Sequence, residues 1–265
     1  MTPTSPSTVD TALARGAVYR CLAQALLFPG ELLGATLPQG LWLGALDEAV
    51  GRLPASDVLL EALATLEIVQ PTTELAPLQR EYTRLFSNTA LTDFPPYGAD
   101  YLGSHIFMKA QSMADVAGFY CAFGVAIDAG TERPDHISAE LEFMGYLCCK
   151  EAYAADLGMV EALDIIVSAQ KRFFAEHLGR WAPHFLQRFE AVTTQPFYRA
   201  VAAFAQMFLE AESTWLEVSP EAIQELPIDT FPQDTHPCGT CPGNLFVGAT
   251  HASPLLVVEG GDRGE

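Results

Sequence analysis

Apolar residues recur every three or four positions along nearly the whole chain, and no stretch alternates apolar with polar in the sustained way a strand requires. Val18, Leu22, Ala25 and Leu26 share one face of a first helix, which the Pro29-Gly30 turn ends. Leu75, Leu78, Tyr82, Leu85 and Phe86 mark another stripe, and Ile106, Met113, Val116, Tyr120 and Phe123 a further one. Ile137, Leu141, Met144 and Cys148 follow, then Met159, Leu163, Ile166 and Phe173, then Val201, Phe204, Phe208 and Trp215. This pattern predicts an all-α fold, a single-domain helical bundle. Breaks are expected at 29–40, at 87–98, at 124–133 and beyond 219, with short connections elsewhere favouring antiparallel neighbours. Residues 1–9 read as a flexible start and 10–219 as the helical domain. From 220 to 265 Pro, Gly, Thr and Asp take over, which predicts an irregular C-terminal extension. No internal repeat of solenoid period is evident.

Composition sharpens this picture. Hydrophobic residues make up 49% of the 265 and charged ones only 18%, so much of the chain must lie inside something. Fourteen Lys and Arg against 33 Asp and Glu leave a net charge of −19, which repels nucleic acid. A field of that sign favours encounter with basic peptides within ~8 Å of the surface, although plain solubility accounts for it equally well. The N-terminus has no basic or apolar signal region, its first basic residue being Arg15. The apolar stretch 25–46 is interrupted by Pro29, Glu31, Pro38 and Gln39, too often for a membrane span. A cytoplasmic protein with no membrane insertion is expected. Cys21, Cys121, Cys148, Cys149, Cys238 and Cys241 do not form a disulfide framework.

Four segments carry the candidate chemistry: Glu81 to Phe86 at a helix end, Pro95 to Tyr101, Tyr120 to Gly124, and Arg133 to Ile137. Consecutive prolines stiffen the Phe94–Tyr97 stretch, which serves either to present an aromatic ring at low entropic cost or as an ordinary interhelical turn. Pro134 suits the first turn of a helix and Asp135 complements its dipole; alternatively Asp135 accepts from an incoming arginine with His136 as a second polar contact. Leu85 and Phe86 either line a groove for an apolar peptide or sit in the core. His136 and Glu140 are one turn apart, but two ligands are too few for a metal.

Near the C-terminus Cys238 and Cys241 form a C-x-x-C flanked by His236 and His251. These are four candidate zinc ligands, with a plain thiol-bearing tail as the simpler reading, so no metal is expected. None of the usual phosphate-loop, dinucleotide, zincin or nucleophile-elbow motifs is present, and no catalysis is expected.

In order and spacing, the four segments resemble the TorD/DmsD/NarJ family of redox-enzyme maturation chaperones, over about residues 10–217. That family shows a Glu-x-x-x-Leu-Phe helix end, a Pro-Pro-Tyr-Glu-Ser-x-Tyr loop, an aromatic-Gly turn and a Pro-Asp-His helix start. The resemblance implies an all-helical chaperone with no cofactor of its own. Its implied partners are the precursor of a molybdenum-containing oxidoreductase catalytic subunit and that precursor's twin-arginine signal peptide. The apo-enzyme would be held until its molybdopterin is inserted, delaying export. The implied peptide-binding residues are Leu85, Phe86, Pro96, Tyr97, Asp100, Tyr101, Pro134, Asp135 and His136. The phrasing around residues 105–120 and 132–144 is most similar to the branch serving periplasmic nitrate, chlorate, selenate or hydrocarbon-oxidising enzymes. One departure stands out: Gly98-Ala99 replaces Glu-Ser, with Asp100 next in line. A zinc or thiol protein acting through Cys238 and Cys241, or a structural subunit of a redox complex, are the alternatives. Both a monomer and a domain-swapped dimer fit the pattern.

Overall fold

Ser7 caps the first helix, its hydroxyl accepting from the Asp10 amide at 3.1 Å, and α1 runs Thr8–Ala25 until the chain meets Pro29. The computed structural model describes residues 7–54, 57–87, 94–102, 106–127, 132–221, 223 and 256–258. Helix α2 (Glu31–Thr36) occupies part of what the sequence reads as a break. It holds because Leu33 is buried and the Thr36 hydroxyl donates to the Leu32 carbonyl at 2.9 Å. Helices α3 (Leu41–Val50), α4 (Asp57–Val69) and α5 (Leu75–Phe86) follow. The short α6 (Ala99–Leu102) leads to α7 (Ile106–Ala122), and α8 (Ile137–Asp156) and α9 (Val160–Phe173) come next. A single π-helical turn, Phe174–Leu178, joins α9 to α10 (Gly179–Val192), and α11 (Pro196–Trp215) completes the set.

Among the described residues the fold is all-α apart from one strand pair, and a single continuous apolar core runs through them. Its centre is the crossing of α1 on α8. A Cβ on Gly16 would sit 3.1 Å from the Gly145 carbonyl and one on Gly145 3.2 Å from the Gly16 carbonyl, so glycines at both positions let the backbones touch. Around them Val18, Tyr19 and Leu22 of α1 and Leu141, Met144 and Cys148 of α8 are buried, and α10 and α11 pack together, with α4 against α11.

Two features depart from the apolar pattern. Residues Val125–Ile127 (β1) pair antiparallel with Leu256–Val258 (β2), Val125 facing Val258 and Ile127 facing Leu256. Three residues are too few to show alternation, and β2 ties part of the expected irregular extension to the body. Ile106 was expected to face inward but is 78% exposed, because α7 buries only Val116 and Tyr120, both in its second half.

A polar cluster that the sequence did not signal lies inside the bundle. Arg15 of α1 donates to Glu212 of α11 at 2.6 and 2.8 Å, to Glu151 of α8 at 3.0 Å and to Gln170 of α9 at 2.7 Å. Tyr19 donates to Glu212 at 3.0 Å and Gln170 to Glu151 at 2.8 Å, so four helices share one network. Among the described residues no helix is long and apolar enough to cross a membrane.

Candidate functional site

The loop 94–98 is fastened to the start of α8 by its backbone. The Ile137 amide donates to the Pro96 carbonyl at 2.9 Å and the Gly98 amide to the Asp135 carbonyl at 2.8 Å. Phe94 anchors the loop from beneath, its ring 5.9 Å from Phe86 and 6.4 Å from Phe185. The prolines therefore stiffen a segment that is already pinned at both faces.

Asp135 is fully buried and its carboxylate is occupied. Arg133 donates to Oδ1 at 2.9 Å and to Oδ2 at 2.6 Å, and the Ala99 amide donates to Oδ2 at 2.9 Å, which caps α6. The place expected for an incoming arginine is thus taken by the chain's own Arg133. Pro134 and Asp135 also precede α8 rather than opening it: the N-cap is His136, whose Nδ1 accepts from the Ser138 amide at 3.2 Å. That bond leaves the proton on Nε2, which faces the Tyr82 hydroxyl at 3.3 Å. Burial, with Arg133 adding to it, pushes His136 down to about 3, so the ring is neutral at pH 7. As a buried cap it offers no surface to a ligand.

Tyr97 and Asp100 form a half-buried edge. Tyr97 donates to Glu132 at 3.1 Å and lies under the Arg133 guanidinium, 4.2 Å from its ring centre. Burial holds the Glu132 carboxyl above its usual range despite that bond. Asp100 accepts from Lys109 at 2.6 Å and from Arg133 at 3.3 Å, tying the loop to α7. Tyr101 stacks on Trp181, with ring centres 5.3 Å apart.

Beneath Gly98 the Trp181 indole donates to both oxygens of Glu140, at 3.2 and 3.1 Å. Burial raises the Glu140 carboxyl well above the usual range, against the pull of that indole bond. A Cβ on Gly98 would lie 2.7 Å from the indole nitrogen and 2.9 Å from Glu140. This accounts for the departure at position 98: a side chain there has no space. Leu85 and Phe86 are core residues, Phe86 packing on Phe94, Phe185 and Phe189. Among the described residues no cluster of His, Cys, Asp and Glu could hold a metal. Cys238, Cys241, His236 and His251 lie outside the described residues.

Beside the loop the first turn of α7 stands out from the surface, with Ile106 78%, Phe107 85% and Met108 51% exposed. An open groove of about 770 Å³ runs from Leu102 and Met108 past Asp115 and Phe119 to Arg172 and His177. No sequence reading singled out this groove; the run of three apolar residues opening α7 was the one available signal.

A family profile described as nitrate reductase delta subunit matches residues 52–187. The chain belongs to this NarJ/TorD family. It is 30% identical over 211 residues to the perchlorate reductase assembly chaperone protein of Dechloromonas aromatica, covering 77% of this chain and 90% of that one. It is 25% identical over 166 residues to the chaperone protein TorD of Vibrio atlanticus, covering 62% and 74%. A shorter match, 35% over 83 residues, links it to the chlorate reductase assembly chaperone protein of Ideonella dechloratans, covering 31% and 42%. The span matched by the family profile takes in the pinned loop, the exposed turn of α7 and the groove.

Proposed function

We propose that this chain is a cytoplasmic chaperone, without catalytic activity, that binds the twin-arginine leader and the apo-form of a molybdenum-containing oxidoreductase subunit, aids cofactor insertion and delays export. Its family membership and its similarity to assembly chaperones of perchlorate and chlorate reductases and to TorD support this reading. The observation that carries it is the exposed apolar turn Ile106-Phe107-Met108, set beside the pinned loop on a chain whose net charge is −19. A leader is basic first and apolar afterwards, so its apolar part matches this turn in kind and its basic part the negative field of the whole chain. Covering an exposed Phe or Ile contributes roughly 1.5 to 3 kcal/mol, and micromolar capture needs only about −8 kcal/mol, so a few such contacts suffice with charge steering. On this reading Asp135, His136 and Pro134 hold the loop in position, Leu85 and Phe86 support it from the core, and Tyr97, Asp100 and Tyr101 lie nearest the peptide.

Calorimetry against twin-arginine leader peptides tests the proposal. Phe107→Ser and Ile106→Ser should each weaken binding roughly tenfold or more while leaving the melting temperature unchanged, since neither side chain is packed. Leaders with the arginine pair replaced by lysine should bind more weakly. Equal heats for all proteins and peptides would sink the proposal.

A further inference from the structure

The groove between α7 and the α9–α10 corner is furnished differently from the rest of this acidic surface. Arg172 and Arg180 both line it, in a chain that has 14 Lys and Arg against 33 Asp and Glu. Both guanidinium groups have only long or weak partners. Arg172 lies over the Phe119 ring, 5.4 Å from its centre, and reaches Glu176 at 3.3 and 3.4 Å, and Arg180 meets the Glu221 carbonyl at 3.4 Å and its carboxylate at 3.7 Å. Ion pairs with exposed carboxylates at such distances contribute little, so both guanidinium groups are available to a better-placed anion.

His177 supplies an independent observation. It is only 6% exposed, it lines the groove, and its Nδ1 has no hydrogen-bond partner. A buried ring nitrogen left without a partner is costly, and such groups are few in native structures. The residue sits in the π-helical turn Phe174–Leu178, an irregularity that recurs at functional sites. Its ring is held edge-on to Phe119, 5.5 Å between centres, and 5.3 Å from Phe173. The lining thus combines the aromatic and apolar Phe119, Met108 and Leu102 with the guanidinium groups of Arg172 and Arg180, while the His177 Nδ1 lies just beneath the surface. Asp115 and Glu176 also line the space, so it does not trap anions by charge alone; recognition would rest on the directional guanidinium fork. The space, about 770 Å³, is an open groove large enough for a small molecule.

We infer that this groove binds a small organic oxyanion, a phosphate or carboxylate carried on an apolar or aromatic body, with Arg172, Arg180 and His177 holding the anion and Phe119 the body. The site is separate from leader capture and is tested without any peptide. Full-length protein is titrated with phenyl phosphate, benzoate, inorganic phosphate and benzyl alcohol, followed by the His177 and Arg side-chain NMR signals. Saturable binding of phenyl phosphate or benzoate is expected, roughly tenfold tighter than inorganic phosphate because of the apolar body, with no binding of benzyl alcohol. Arg180→Gln and His177→Asn should each weaken it several-fold, whereas Arg52→Gln, on α3's exposed C-terminal side, should not. Which of the two aromatic anions binds tighter assigns the oxyanion. No saturable binding, binding of all four probes alike, or equal affinities in all three variants would overturn the inference.

Discussion

The guanidinium of Arg133 closes over both carboxylate oxygens of Asp135, two residues away, at 2.9 and 2.6 Å. Asp135 is fully buried, whereas the Arg133 side chain keeps 37% of its exposure, so the two partners are not equivalent. Arg133→Ala strands a buried carboxylate without its cation and should cost about 3 kcal/mol in urea unfolding. Asp135→Asn keeps an acceptor for the Ala99 amide and removes the charge, so about 1 to 2 kcal/mol is expected. If Asp135→Asn proves the more damaging, the carboxylate is needed for something other than holding this loop.

Gly98 is expected to tolerate no side chain. Its missing Cβ faces the Trp181 indole and the Glu140 carboxyl, two buried groups bonded to each other, and neither can swing away without losing a partner. Gly98→Ser should therefore destabilise by about 1 to 3 kcal/mol. Pairing it with Glu140→Ala, which vacates the nearest oxygen, should return part of the loss. Thermal melts of the two single variants and the double variant give the coupling, and strict additivity would mean that the two positions do not meet.

The helical period alone locates the inward faces of α1, α5 and α11, because each buries a stripe of the expected spacing. It could not say what covers a stripe, which is why Ile106 was placed inside: same-face residues can be read from a sequence, but their lid cannot. Helix α2 and the β1–β2 pair are too short to leave a period. At the site, the four segments could be read from their residue types, but their burial could not. Arg133 and Asp135 are close enough in sequence to suggest the pair that excludes an outside arginine. Nothing local announces that Arg15 meets Glu212, 197 positions on, or that His177 of the π-turn borders a groove.

His136 should make the fold sensitive to acid. Its folded value of about 3 lies below the ordinary value of 6.5, so the unfolded chain takes up a proton first as pH falls. The contribution is fully present above pH 6.5 and is lost progressively down to about pH 3, at no more than ~1.4 kcal/mol per pH unit. The raised Glu132 and Glu140 carboxyls act in the opposite sense, so the His136 contribution is read as a difference between two proteins. His136→Asn keeps an acceptor for the Ser138 amide and removes the titration, so the unfolding free energy of the unaltered chain relative to this variant should fall from pH 7 through 6 to 5. Parallel curves for the two proteins would show that the ring titrates normally in the folded state.

The buried network around Arg15 supplies the sharpest test of the interior. Arg15 is the cation that bonds both Glu212 and Glu151, so Arg15→Met leaves two inward carboxylates uncompensated, and about 3 to 5 kcal/mol should be lost at pH 7. A second substitution that removes a carboxylate separates lost charge balance from lost packing. Adding Glu212→Leu to Arg15→Met removes the more deeply buried carboxylate and should recover a substantial part of the loss, since the Glu151 that remains still accepts from Gln170. No recovery in the double variant would assign Arg15 to packing alone.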